Sequence, residues 1–363
     1  MNNQSVLIVG GYGAVGRQIA QILHDRHPDL HILLGGRTPN MISPFKSPRI
    51  KTIIINSNWE DPLQNVNENV SLVINSVNDI HDRILLAAVS RKIPFIDITR
   101  WTELFEQAIR SLKHSKLYAP VVLSSGWMAG TSALIATLFS SSLTHVSINI
   151  QALYSLQDKA GPDSADYMDR MSIPFIITEP SGRRQVYPMS EPNKVTFPNG
   201  YTTKCYRLDT PDHVTLPSND HIDASSFRIS FDSKVSTLSL VAMVNSGIWR
   251  LISGQRFRSL RRSLLYKPGS GSAHQIMIEI NGRNQKKQTI KRSIAIIDPL
   301  GQTHLTALGA VIQAEKILRA QSKNYQLPPG IYYPEQLPDK HFEPSLIIDF
   351  YKQYGVTIIA TES

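Results

Sequence analysis

A chain of 363 residues with 41% apolar and 18% charged residues can bury a sizeable core, which excludes wholesale disorder. One cysteine, Cys205, excludes an internal disulfide framework and a cysteine-based zinc cage, and suits a reducing compartment. Lys and Arg number 38 against 29 Asp and Glu, a formal charge of +9 that attracts anions without marking a nucleic-acid binder.

No basic segment precedes the apolar Val6–Val9 run, so no targeting leader is expected. Short β-branched runs at Val6–Val9, His31–Leu34, Thr52–Ile55, Leu72–Ile74, Phe95–Ile98 and Val121–Leu123 predict strands. Between them, Arg17–Arg26, Ile80–Ser90 and Thr102–Lys116 repeat apolar residues at helical spacing, and Asp61–Val66 is a turn-rich piece. The alternation predicts an α/β domain with a doubly wound parallel sheet, whose strands are apolar throughout because both faces are covered.

After Gly126–Gly130 the pattern changes. A helix is expected over Ser132–Phe139, then strands of alternating character at His145–Leu153, Lys194–Phe197, Lys204–Arg207, His274–Ile280 and Thr289–Ile297. With helices near Ser164–Met171 and Leu238–Ile252, this reads as a second, α+β domain around a mostly antiparallel sheet. A helix at Leu305–Ala320, a loop at Leu327–Pro334, a helix at Pro344–Tyr354 and a short apolar tail complete the chain. The expected division is residues 1–130, 131–303, and 304–363 returning toward the first domain. Leu238–Ile252 is interrupted by Asn245, Ser246, Gly247 and Arg250, too short and polar to span a bilayer, so a cytoplasmic protein without a membrane span is expected.

The most informative motif is Gly10-Gly11-Tyr12-Gly13-Ala14-Val15-Gly16, placed where a buried strand gives way to an amphipathic helix. In this setting Gly11 permits the tight turn, Gly13 lets backbone approach a pyrophosphate, and Gly16 lets the helix pack on the strand. The helix start then offers N–H groups and partial positive charge to that anion. The second strand ends in Gly35-Gly36-Arg37-Thr38 with no carboxylate, which would repel a 2′-phosphate. Arg37 can pair with such a phosphate bidentately and Thr38 can add a hydroxyl, so NADP(H) is favoured over NAD(H). Asn75-Ser76-Val77-Asn78 and Asp97-Ile98-Thr99-Arg100 end later strands, so Asn75, Ser76, Val77, Asp97 and Thr99 are expected to border the same ligand. Asp97 serves either there or as a cap for the helix opening near Thr102.

These residues resemble the saccharopine dehydrogenase-like (saccharopine reductase-like) oxidoreductases. The likeness runs through the double-glycine start, the Gly36-Arg37 ending, Ile93-Pro94-Phe95-Ile96-Asp97-Ile98-Thr99, and Gly126-Trp127-Met128-Ala129-Gly130-Thr131-Ser132. It continues in Asp298-Pro299-Leu300-Gly301, the Thr306–Ala310 segment and Pro329-Gly330-Ile331-Tyr332-Tyr333-Pro334. Two departures stand out: Ala129 replaces the family's proline, and Arg100 stands where an acidic residue is common. The resemblance implies a Rossmann domain, a dimerising substrate domain in a homodimer, and NAD(P)-linked chemistry at a C–N bond of an amino-acid-like imine or secondary amine.

Substrate-handling candidates lie in Tyr154–Arg170, a polar segment leaving a strand. Arg170 and Lys159 suit carboxylates, and Tyr154 or Tyr167 can relay a proton; Tyr167 and Arg170, three apart, share a helix face. The basic stretch Arg250–Lys267 fits a solvated face beside a dimer interface, or an anionic partner. No histidine spacing suggests a metal, and no nucleic acid is expected. Two other readings remain open: a trans-acting enoyl or ketone reductase of lipid or polyketide assembly, and a non-catalytic NADP-sensing protein.

Overall fold

The computed structural model of the chain describes residues 4–37, 43–158, 167, 169–257, 259–261, 269, 271–323, 325–338 and 344–363. From the start run β1 (Ser5–Val9), α1 (Ala14–Arg26), β2 (His31–Gly36), β3 (Ile50–Ile54), β4 (Val70–Asn75), α2 (Arg83–Ser90), β5 (Phe95–Asp97), α3 (Thr102–Leu112) and β6 (Pro120–Val122). Next come α4 (Ser132–Ser140), β7 (Thr144–Tyr154), β8 (Phe175–Glu179), β9 (Gly182–Val186), β10 (Asn193–Thr196), β11 (Thr202–Arg207) and β12 (Ile222–Phe231). After them lie α5 (Lys234–Asn245), β13 (His274–Arg283), β14 (Thr289–Asp298), α6 (Gln302–Ser322), β15 (Gly330–Tyr332), α7 (Pro344–Gln353) and β16 (Thr357–Glu362). Two compact units result: Met1–Thr131 with His304–Glu343, and Ser132–Thr303 with Pro344–Ser363.

The first unit holds a seven-stranded parallel sheet in the order β15-β6-β5-β4-β1-β2-β3. Val6, Leu7, Ile8, Leu72, Val73 and Ile74 are fully buried, as strands covered on both faces must be. Helix α1 buries Ile19, Ala20, Ile22 and Leu23. In α6 burial runs through Ala307, Leu308, Ala310, Val311, Ile312 and Ala314, so this stretch of the helix is covered on all sides. A Cβ at Gly309 would run into the carbonyl oxygen of Gly126, and Ser125 Oγ donates to the Gly309 carbonyl at 2.8 Å. The small residues near the start of α6 therefore serve close packing. Residues 327–334, expected as a loop, include β15, which pairs with β6 and supplies the outermost strand.

Between β6 and α4, Ala129 takes φ 54°, a left-handed conformation that L-residues adopt at a cost of roughly 1–2 kcal/mol. Proline, with φ held near about −65°, does not fit there, which accounts for alanine at this position. Ala129→Pro should lower the urea midpoint sharply, and Ala129→Gly should raise stability by up to about 1 kcal/mol.

The second unit's main sheet has the order β10-β11-β12-β7-β13-β14-β16. Only β12 and β7 pair parallel; the other neighbours are antiparallel. Register aligns Ile278 with Ile150 and Ile294, and Ile276 with Ile296, making one apolar face. The opposite face carries Asn149, Gln151, Glu279, Ser226 and Arg228, with Ser226 Oγ donating to Asn149 Oδ1 at 2.6 Å.

Several expectations are corrected here. Residues 175–186 form a hairpin, β8–β9, that the sequence pattern did not reveal. Leu238–Ile252 is not one helix, because Gly247 at φ 80° separates α5 from the turn Ile248–Leu251. The tail is β16, which pairs with the edge of β14 in the second unit instead of returning to the first, so the backbone groups of that edge are satisfied. The helix expected near Ser164–Met171 falls largely outside the described residues.

Candidate functional site

In the first unit β1 is flanked by β2 and β3 on one side and by β4, β5 and β6 on the other. Open α/β sheets bind ligands outside the carboxyl ends of their strands at such a switch point. Gly10, directly after β1, has φ 79°, and a Cβ there would come within 2.6 Å of Ser76 Oγ and Val77 Cγ1. The left-handed residue of the turn is thus Gly10, one position before Gly11. Gly11 is required for space instead: a Cβ would lie 2.8 Å from Leu34 Cδ2. At Gly16 a Cβ would strike the Gly10 carbonyl oxygen, so α1 reaches the turn only through glycine.

Gly13 is the N-cap of α1, accepts no side-chain cap, and no acidic residue occupies the first turn. Gly13 and Ala14 are exposed, and Val15 is partly so. Backbone N–H groups and the positive end of the helix dipole are therefore left for an external anion. Tyr12 lies against the end of β2, where a Cβ on Gly36 would meet its ring at 2.7 Å. Arg37 follows directly; it is exposed and has no hydrogen-bond or ion-pair partner among the described residues. Thr38 lies outside the described residues.

The other predicted strand-end groups sit at the ends of β4 and β5, but their side chains are occupied with one another. Asn75 Nδ2 donates to the Val77 carbonyl at 2.8 Å and to Asp97 Oδ2 at 3.2 Å. Ser76 Oγ donates to the Val9 carbonyl at 2.6 Å, and Thr99 Oγ1 to the Val77 carbonyl at 2.9 Å. Asp97 is fully buried, accepts from the Thr99 amide at 2.8 Å, and pairs with Arg100 Nε at 2.9 Å. It is not the cap of α3, whose N-cap is Trp101. Arg100, also buried, reaches on to Asp82 Oδ1 at 2.6 Å. Burial works against this guanidinium, yet Asp97 and Asp82 together hold its pKa above the ordinary value. Asn75 and Asp97 are buried and shape the strand ends; Gly13, Ala14 and Arg37 are exposed, and Tyr12, Val15, Ser76, Val77 and Thr99 are half-buried.

Sequence reasoning missed Asp82, whose φ of 54° places it ahead of α2, and Ser124, at φ 62° just past β6. The Ser124 hydroxyl is buried with no hydrogen-bond partner among the described residues. Nothing in local hydrophobic patterning marks either residue; both are distinguished by backbone conformation.

In the second unit, the Tyr154 ring lies edge-on to His274 at 5.6 Å and tilted against Phe231 at 6.3 Å. Burial raises its pKa, with Asp158 adding to the effect. Tyr167 is raised likewise by burial, then by Asp209, Tyr154 and Asp212, which puts it in one electrostatic neighbourhood with Tyr154. Arg170 Nη2 stands 3.8 Å from Asp209 Oδ2. Asp158 is buried and accepts from the Gln302 amide at 2.9 Å. Lys159 lies outside the described residues.

The basic stretch is not a uniformly solvated face. Arg250 and Arg256 are exposed, but Arg261 is buried and pairs with Asp169 at 2.6 Å; residues 258 and 262–268 lie outside the described residues. No described helix is long and apolar enough to cross a membrane, and no group of three or more His, Cys, Asp or Glu among the described residues could hold a metal.

The sequence matches no family model and no curated protein. Among solved structures it is similar to saccharopine dehydrogenase (L-Glu forming) from Saccharomyces cerevisiae, at 12% identity and a TM-score of 0.63 across 99% of each chain. A meso-dapdh mutant with DAP from Clostridium tetani aligns at 12% identity and a TM-score of 0.48, over 96% of this chain and 99% of that one. Dipicolinate-bound dihydrodipicolinate reductase from a Paenisporosarcina species aligns at 12% and 0.40, over 87% and 94%. The first of these likenesses shows that the chain has a saccharopine dehydrogenase-like fold.

Proposed function

On the premise of this fold, we propose that the chain is an NADP(H)-dependent oxidoreductase acting at the C=N or C–N carbon of an amino-acid-like imine or secondary amine, with a second copy of itself as partner. The observation that carries the reading is Arg37: an exposed guanidinium at the end of β2 without a partner among the described residues, where no carboxylate stands, beside a glycine turn and an uncapped helix start. A Cβ at Gly10 would press on Ser76 and Val77 and one at Gly11 on Leu34, so the turn is bare backbone, and the uncapped start of α1 beside it fits a diphosphate.

In this reading the amides of Ala14 and Val15 at the start of α1 hold the diphosphate beside the exposed Gly13, while Gly11 forms the turn; Arg37 holds the 2′-phosphate, and Tyr12 covers the end of β2. When bound, the dinucleotide supplies or accepts a hydride. Asp97 acts through Asn75 and Thr99 as a positioning residue for the strand ends. Arg170 supplies positive charge for a substrate carboxylate. Tyr154 and Tyr167, held protonated by burial and nearby carboxylates, serve as hydrogen-bond donors from their hydroxyls rather than as bases.

The test is a fluorescence titration of NADPH and NADH against wild type and Arg37→Ala. Loss of a charge-assisted contact should weaken NADPH binding by about 10- to 100-fold, equivalent to roughly 1.5–3 kcal/mol, and leave NADH unchanged. Equal affinities in wild type, or an unchanged preference in the variant, would overturn the cofactor assignment.

A further inference from the structure

The second unit contains a cavity of about 400 Å³ in which Arg207, Arg228, Glu179, Asn149, Ser226 and Ser181 take part. Its two arginines face each other across the antiparallel pair β11–β12, Arg207 in register with Arg228. Both are buried, at 3% and 9% exposure.

The two are unequally paired. Glu179 and Glu191 are shared by the half-buried Arg184 and by Arg207. Arg184 takes both oxygens of Glu179, each at 2.8 Å, and also pairs with both oxygens of Glu191 at 2.6 and 2.8 Å. Arg207 Nε donates to Glu191 Oε2 at 2.6 Å, and its Nη2 stands 3.6 Å from Glu179 Oε1. Its Nη1 is buried without a hydrogen-bond partner among the described residues. Arg228 has no carboxylate among the described residues: Nη1 donates to Ser226 Oγ at 2.6 Å and reaches Asn149 Oδ1 at 3.5 Å, and Nε donates to the Glu191 carbonyl at 3.0 Å. Burial, and then repulsion from Arg207, bring its pKa down to about 10, so it is still cationic at neutral pH. A buried cation with carboxylates near it but none paired to it, beside a buried donor without an acceptor among the described residues, is expensive. An anion in the cavity removes both deficits.

We propose that this cavity binds the carboxylate group of a small metabolite, held jointly by Arg207 and Arg228. Arg228, with no carboxylate paired to it among the described residues, matches a singly charged group. Glu179 lines the same space, so a doubly charged phosphate would meet a negative neighbour. Planar guanidinium forks also suit a carboxylate. The volume exceeds what a carboxylate alone needs, leaving room for a side chain or amino group of the metabolite. The inference does not depend on the dinucleotide reading.

Isothermal titration calorimetry on the full chain tests it, with sodium acetate and sodium L-glutamate as carboxylate probes, and sodium phosphate and sodium chloride at matched ionic strength. Both carboxylates should bind saturably at one site, with phosphate and chloride giving no saturable heat. Arg228→Gln and the charge-preserving Arg207→Lys should each weaken acetate at least tenfold, while circular dichroism and NADPH titration stay as in wild type. Arg170→Gln should leave acetate binding intact. No saturable binding by wild type would overturn the proposal, as would phosphate binding equal to acetate. So would acetate binding that survives both arginine variants but is lost in Arg170→Gln, which would place it at the substrate candidates instead.

Discussion

Replacing Arg100 with leucine should destabilise the first unit by about 3–5 kcal/mol at pH 7.5. Arg100 is 2% exposed and bridges Asp97 and Asp82, both fully buried. Leucine leaves two carboxylates in a low-dielectric interior with no counter-charge. Urea unfolding at pH 7.5 checks this. Adding Asp82→Asn to the variant should recover part of the loss, since asparagine removes one buried charge. A cost below about 1 kcal/mol would mean that the bridge contributes little. Dinucleotide affinity should fall too, because Asp97 holds Asn75 and the Thr99 amide beneath the glycine turn.

Acidification should act on the two units with opposite sign. In the second unit burial lowers the pKa of His213 to about 4 and that of His274 to about 3. Their folded pKa values lie below the unfolded value of about 6.5, so the unfolded state binds more protons and stability is lost as pH falls below 6.5. From pH 7 to 5 each histidine removes about 2 kcal/mol. In the first unit burial raises Asp79 to about 6, although the Leu85 amide and Arg100 pull the other way. That carboxyl binds protons more tightly when folded, so its contribution increases as pH falls through 6, by about 1 kcal/mol down to pH 5. Hydrogen exchange at pH 7 and 5, corrected for intrinsic rates, should show protection lost first in β7, β12 and β13. Earlier loss of protection in β1 and β4 would contradict the assignment.

The parallel sheet of the first unit was legible because its strands are short, apolar and punctuated by amphipathic helices. Its last strand was not. Leu327-Pro328-Pro329-Gly330 reads as a loop, and only pairing with Pro120–Val122, some two hundred residues earlier, makes Gly330–Tyr332 a strand. The β8–β9 hairpin was hidden by Arg183-Arg184-Gln185, whose polarity suits an exposed ribbon and breaks the alternation of a buried one. At the candidate site, the glycines and Arg37 could be read from spacing alone. Arg100 could be seen only as an oddity. Its meaning depends on Asp82, eighteen residues away in the chain and joined to it only in three dimensions.

The discontinuity of both units bears on how the chain folds as it emerges from the ribosome. When residue 131 has been made, the first sheet still lacks the strand that closes its β6 edge and the buried helix whose Gly309 rests on Gly126. Both arrive only after the whole of Ser132–Thr303 has been synthesised. The nascent amino-terminal segment must therefore wait, with an unfinished apolar surface, through about 200 further residues, at roughly 5–20 residues per second. During that interval it is a natural client for a chaperone, and a fragment cut after Thr131 would inherit the same unfinished surface permanently.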